Sequence, residues 1–156
     1  QLSVKAAASI WNRFEALLED VTPEAVMRFD IETLRGAGLS KQKALYAHYA
    51  ADAVLNGRLD LEALHELDDD AAKEHICAVK GLGPWSADIY LLFCAGRHDI
   101  WPSGDLALQV ALQRLKSLPD RPTAKETLPL VELWRPFRGP MAVFLWHYYA
   151  LSDAPM

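Results

Sequence analysis

Asp105 is the residue of this chain best placed to do chemistry. It closes the run Asp99-Ile100-Trp101-Pro102-Ser103-Gly104-Asp105 and stands immediately before Leu106-Ala107-Leu108. An ionised carboxylate can stabilise a neighbouring positive charge or orient a water. Aspartate of ordinary acidity, with a pKa of about 3.9, is ionised at neutral pH unless burial raises it. Aspartate after Ser-Gly is also a favoured helix cap, and the two roles are compatible. Upstream, Lys80-Gly81-Leu82-Gly83-Pro84-Trp85 separates two helical patterns, Ile76 to Val79 and Trp85 to Ala95. A Gly-x-Gly turn permits positive φ and close backbone approach. Amides facing outward at the start of the helix led by Pro84 would form an anion site, to which Lys80 can add charge. A helix-hairpin-helix of this kind grips a nucleic-acid backbone, with Lys80, Gly81, Leu82, Gly83, Trp85 and Ser86 as the contacts. The same glycines could also do no more than join two antiparallel helices.

The elements that would position these residues read as helices, each with start and stop signals, and strand patterns are absent. Ser3 can cap a helix whose apolar stripe is Val4, Ala7, Ala8, Trp11, Phe14 and Leu18. Thr22-Pro23 starts a short helix, and Asp30 caps Ile31 to Arg35, which stops at Gly36-Ala37-Gly38. Ser40 caps a long helix to Leu55, closed by Asn56-Gly57. Asp60 and Asp68 can each open another, Thr123 with Glu126 forms a capping box, and Pro140 opens the last, Met141 to Leu151. Leu34 to Ser40 weakly echoes Val79 to Trp85, which implies two tight helical hairpins. The expected fold is all-α: one compact multi-helix domain over residues 1–156, containing a helix-hairpin-helix followed by a Gly/Pro/Asp loop.

Composition narrows the class. The 156 residues suit about one domain, and 51% hydrophobic with 24% charged residues is the make-up of an ordinary soluble globule. No apolar run approaches the ~20 residues that cross a bilayer, and no basic-then-apolar leader is present, so no membrane partner is expected. Cys77 and Cys94 read as reduced core thiols of a cytoplasmic protein, too few for a zinc site or an iron–sulfur cluster. The histidines show no metal-site spacing; His98, near Asp99, could touch a phosphate. A formal charge of −5 argues for modest non-specific affinity for nucleic acid, yet its distribution allows a small basic face. Asp60, Glu62, Glu66, Asp68, Asp69, Asp70 and Glu74 crowd together, whereas Lys41, Lys43, Lys80, Arg97, Arg114, Arg135 and Arg138 lie near hairpins and later loops.

The hairpin from Lys80 to Ala87 followed by Asp99 to Leu106 resembles the helix-hairpin-helix/Gly-Pro-Asp superfamily of DNA glycosylases. Trp134-Arg135-Pro136-Phe137-Arg138 is similar to a signature of its 3-methyladenine DNA glycosylase II (AlkA-like) branch. Gln1 to Ala7 and Leu34 to Ser40 resemble that branch as well, so the likeness covers nearly the whole chain. The resemblance implies that Asp105 is the catalytic aspartate of an enzyme that excises alkylated purines from duplex DNA in base excision repair. Bifunctional relatives carry a lysine where this chain has Trp85, which cannot form a Schiff base; a monofunctional glycosylase that leaves an abasic site is therefore implied. No cofactor is required, the four-cysteine cluster loop of endonuclease III-like members is missing, and the hairpin carbonyls are a possible seat for a monovalent cation.

A base extruded from the duplex needs aromatic walls. Trp101, Trp134, Trp85 and Tyr90 are the expected pocket residues, while Trp11 and Phe29 read as core. Gln1 or Leu2 would wedge into the gap left by the flipped base. The chain starts at the second half of the motif that supplies this wedge, and so reads as lacking an N-terminal segment usual in relatives. A monomer acting in the cytoplasm on the bacterial nucleoid is expected. Three other readings stay open: a glycosylase for another lesion, a non-catalytic DNA-holding module in which Asp105 is only a cap, and a helical protein-interaction domain.

Overall fold

Short polar side chains fix the helix starts where the sequence marks them. The computed structural model describes residues 4–152, so Gln1, Leu2 and Ser3, and with them the expected wedge and the first cap, lie outside the described residues. The helices are α1 (Val4–Leu18), α2 (Pro23–Met27), α3 (Ile31–Gly36), α4 (Lys41–Leu55), α5 (Asp69–Cys77), α6 (Pro84–Phe93), α7 (Leu106–Leu115), α8 (Ala124–Val131) and α9 (Arg138–Ser152). Short 3₁₀ turns occupy Ala63–Glu66 and Glu132–Trp134, and no strand occurs among the described residues. Thr22 Oγ1 accepts from the Ala25 amide at 3.2 Å, Asp30 Oδ1 from Thr33 at 2.8 Å, and Ser40 Oγ from Lys43 at 3.2 Å. Asp68 does the same for α5, and Thr123 with Glu126 closes the capping box of α8. Such caps contribute about 1 kcal/mol each by satisfying amides that the first turn leaves unpaired. The last helix begins two residues before Pro140, at Arg138. That is possible because a proline in the first turn removes an N–H with no intrahelical partner.

Contacts divide the chain into two compact units. The first comprises the described residues of Gln1–Leu67 with Glu74–Leu82, and the second Asp68–Lys73 with Gly83–Met156. In the first unit α2 and α3 pack on α4. Alanines Ala44 and Ala51, seven residues apart on one face of α4, let both neighbours approach closely over Leu18, Val26 and Leu34. The front of α1 departs from its expected pattern: Phe14 and Leu18 are buried, but Ala7, Ala8 and Trp11 are exposed, Trp11 by 50%. An apolar stripe shows which face can be buried, not that a neighbour covers all of it.

In the second unit α7 packs against α9 and α8 around Leu108, Leu112, Val131, Ala142 and Leu145. Leu112 is fully buried at the centre of this cluster. Leu112→Ala is expected to lower the unfolding free energy by about 2–5 kcal/mol, read from urea melts, through lost transfer energy and the cavity left behind. A loss under about 1 kcal/mol would place Leu112 outside the core.

Candidate active site

Asp105 caps α7, its Oδ1 accepting from the Leu108 amide at 3.0 Å. The same carboxylate takes hydrogen bonds from two indoles, Trp85 Nε1–H on Oδ2 at 2.8 Å and Trp146 Nε1–H on Oδ1 at 3.2 Å. Three donors from three helices thus fix a half-buried carboxylate. Trp85 comes from the first turn of α6 and Trp146 from the middle of α9. Phe93, at the end of α6, stacks on Trp146 with centroids 5.8 Å apart and planes 30° apart. Trp85 is 49% exposed and Phe93 58%, so aromatic surface stays open beside the carboxylate. A negative charge next to open aromatic faces suits a flat, cationic group.

The segment before Asp105 is tied down by the rest of this unit. Asp99 receives Arg138 and Arg135, and the Gly139 amide donates to the His98 carbonyl at 2.8 Å. Burial alone would raise the Asp99 pKa, but hydrogen bonds and charge from Arg138, then the charge of Arg135, outweigh it and hold the carboxyl below its ordinary range. Trp101 is only 5% exposed and donates its Nε1–H to Thr127 Oγ1 at 2.9 Å, inside the core. It is not a pocket wall, contrary to expectation: its polar atom found a buried partner, which frees the ring to act as core. Trp134 also packs on that core, its ring tilted 6.1 Å from Trp101 with Lys116 Nζ at 5.5 Å. Tyr90 is half-buried on α6. Trp146 donates to Asp105 instead, with Phe93 stacked on it, and neither was legible as a site residue because each lies within an apolar helical run.

The hairpin marks where the chain passes from the first unit to the second. In the first, Gly81 has φ +98°, a Cβ there would run into the Tyr46 ring, and the Leu82 amide donates to the Val79 carbonyl at 3.0 Å. Lys80 is exposed with Nζ 5.0 Å above the Tyr49 ring. In the second, Gly83 is extended and serves as the N-cap of α6 without a side-chain bond. Positive φ is therefore required at Gly81 and not at Gly83. In the Gly36-Ala37-Gly38 turn it falls on the second glycine, Gly38, so the two turns differ despite their similar letters. The amides of Trp85 and Ser86 belong to the first turn of α6, where no intrahelical acceptor exists. The half-buried Cys77 and exposed Cys94 are not core thiols. The first unit also holds an apolar cavity of about 570 Å³ lined by Ile10, Trp11, Phe14, Leu39 and Ala47; the carboxylate and its indoles belong to the other unit.

Comparison with known proteins fits this arrangement. Residues 1–136 match the family model described as HhH-GPD superfamily base excision DNA repair protein. DNA-3-methyladenine glycosylase 1 of Schizosaccharomyces pombe is 32% identical over 98% of this chain and 69% of its own length. The solved structure of the S. pombe 3-methyladenine DNA glycosylase (Mag1) in complex with abasic DNA superposes with a TM-score of 0.89 at 31% identity, covering 100% of this chain and 78% of that one. A DNA-3-methyladenine glycosidase of Bacillus halodurans gives 0.79 at 33% identity, covering 96% and 70%.

One further charge anchors the helix that carries Trp85 and Phe93. Lys73 on α5 approaches Asp88 on α6 at 2.5 Å, and the aspartate side chain is 3% exposed. Desolvation dominates here and raises the Asp88 pKa, against the opposing hydrogen bond and charge of Lys73. A carboxyl with a raised native pKa favours the folded state most in acid, and that advantage fades as pH climbs through the ordinary carboxylate range to the native pKa. The stability of the parent relative to Asp88→Asn should accordingly fall as pH rises above about 4, measured by urea melts across pH. A difference that stays flat or grows would contradict the raised pKa.

Proposed function

The chain belongs to the HhH-GPD superfamily of base excision DNA repair proteins, and from that premise we propose that it is a monofunctional DNA glycosylase of the 3-methyladenine DNA glycosylase II kind, cutting alkylated purines out of duplex DNA. The observation that carries this reading is the Asp105 carboxylate, held by Trp85 and Trp146 beside exposed aromatic faces. As the bond from C1′ to the purine nitrogen breaks, its electron pair leaves with the base and positive charge grows on the deoxyribose. Asp105 stabilises that charge, water adds at C1′ and loses a proton, and an abasic site remains. An alkylated base is already cationic and departs neutral, so it needs little help from an acid. The faces of Trp85, Phe93 and Trp146 suit such a base by stacking and cation–π attraction.

Trp85 also decides the outcome after base release. Its indole offers no amine to attack the sugar, and its N–H is already committed to Asp105. At the hairpin, the backbone amides of Gly83, Trp85 and Ser86 are the proposed phosphate donors, with Lys80 adding charge; Gly81 supplies the turn, and the Leu82 amide is committed to the Val79 carbonyl.

Three outcomes test this function. Asp105→Asn should abolish release of free 3-methyladenine from methylated duplex while leaving binding to abasic-site DNA within about threefold, since an amide keeps the cap acceptor but not the charge. With the parent chain, strand breakage should appear only after alkali; breakage without alkali, or full turnover by Asp105→Asn, would refute the mechanism. Lys80→Ala should weaken binding to duplexes of any sequence and lower the salt slope by about one. An unchanged slope would remove Lys80 from the phosphate contacts.

A further inference from the structure

Helix α9 holds the segment leading to Asp105 at both ends. At its start Arg138 spreads its guanidinium over Asp99, with Nε donating to Oδ1 at 2.7 Å and Nη2 donating to Oδ2 at 3.0 Å and to the Asp99 carbonyl at 2.8 Å. The next residue, Gly139, donates to the His98 carbonyl at 2.8 Å, and a Cβ there would meet that oxygen at 2.7 Å, so helix and segment lie against one another. Two turns further along α9, Trp146 donates to Asp105 Oδ1 at 3.2 Å. From Arg138 to Trp146 the helix axis advances about 12 Å, whereas the chain from Asp99 to Asp105 could extend to about 20 Å.

A rigid element therefore grips a shorter path through a chain that could otherwise stretch. Between the two grips the segment is folded by local bonds, Ser103 N–H to the Trp101 carbonyl at 2.8 Å and Asp105 N–H to the Pro102 carbonyl at 2.9 Å, and Gln109 holds the Ser103 carbonyl at 2.9 Å. The grip at Asp99 is well shielded, with the Arg138 side chain 12% exposed and Asp99 21%. Arg135, the second cation on Asp99, is half exposed and also tied to Glu132.

We propose that Arg138 is a positioning residue for base release: with Trp146 it makes α9 a brace of fixed length that sets where the Asp105 carboxylate stands relative to Trp85 and Phe93. This inference rests on the reading of Asp105 as the catalytic carboxylate. Displacing a reacting group by about 1 Å can cost about 100-fold in rate while leaving ground-state binding untouched. The brace should thus appear in the chemical step and not in affinity.

The test is single-turnover release of base from methylated duplex, beside affinity for an abasic-analogue duplex and thermal unfolding. Arg138→Lys keeps the charge but cannot bridge all the acceptors on Asp99. Its release rate per folded molecule should fall about tenfold or more, with affinity for the abasic analogue within about threefold. Trp146→Phe removes the N–H and keeps a ring against Phe93. The double variant should be little worse than the poorer single, because both changes release the same carboxylate. A folded Arg138→Lys within about twofold of the parent rate, equal losses in rate and affinity, or fully additive effects would each overturn the brace. If Arg138→Lys does not fold, Asp99→Asn loosens the same clamp without changing shape and is judged by the same criteria. Asp105→Asn assayed alongside separates the two claims: turnover there sinks the catalytic reading, whereas its inactivity together with an unimpaired Arg138→Lys sinks only the brace.

Discussion

The proposed activity depends on a carboxylate that must stay charged, stay still and stay open to a ligand. Asp105 meets these demands through its donors. One backbone amide and two indole N–H groups satisfy its oxygens from within the fold, and none of these donors carries a formal charge that would cancel its own. A lysine or arginine in the same place would hold the group as firmly but would screen the field it can offer to a cation. Indoles orient the anion and leave its charge available, while their ring faces extend the surface against which a base can lie.

That arrangement explains why the elements of the second unit are where they are. α6 supplies Trp85 at one end and Phe93 at the other, and Lys73 paired with the buried Asp88 ties the helix down between them. Asp105 is the N-cap of α7, so the first turn of that helix doubles as the local support of its carboxylate. α9 contributes Trp146 and, through Arg138, the clamp on Asp99. The Trp-Arg-Pro-Phe-Arg stretch thus divides its work: Trp134 packs on the core, whereas both arginines meet Asp99, the acid that opens the segment leading to Asp105.

What was legible in the sequence was local. Thr22, Asp30, Ser40, Asp68, Asp105 and Thr123 each cap the helix they precede, because a cap bond spans only three residues and needs no tertiary information. The all-helical fold followed from the same punctuation. What failed was the sorting of aromatic residues, since neighbours distant in sequence decide whether a ring is wall or core. Trp101 beside a loop proline was expected in the pocket and is buried on Thr127; Trp11 on an apolar stripe was expected in the core and is half exposed. Trp146 was invisible because an indole on an apolar helix shows that its N–H needs a partner but not which one. The hairpins taught the same lesson on a smaller scale, with matching Gly-x-Gly letters placing the left-handed residue at different positions in the two turns.

The central claim is electrostatic: an anion at Asp105 stabilises positive charge on the sugar. It is tested most directly by comparing affinity for two duplexes that differ only at the abasic position, one carrying a cationic pyrrolidine in place of the sugar and the other a neutral tetrahydrofuran. The account predicts that the chain prefers the cationic duplex by about tenfold or more and that Asp105→Asn abolishes this preference while retaining affinity for the neutral one. Equal affinity for both duplexes, or a preference that survives Asp105→Asn, would contradict it.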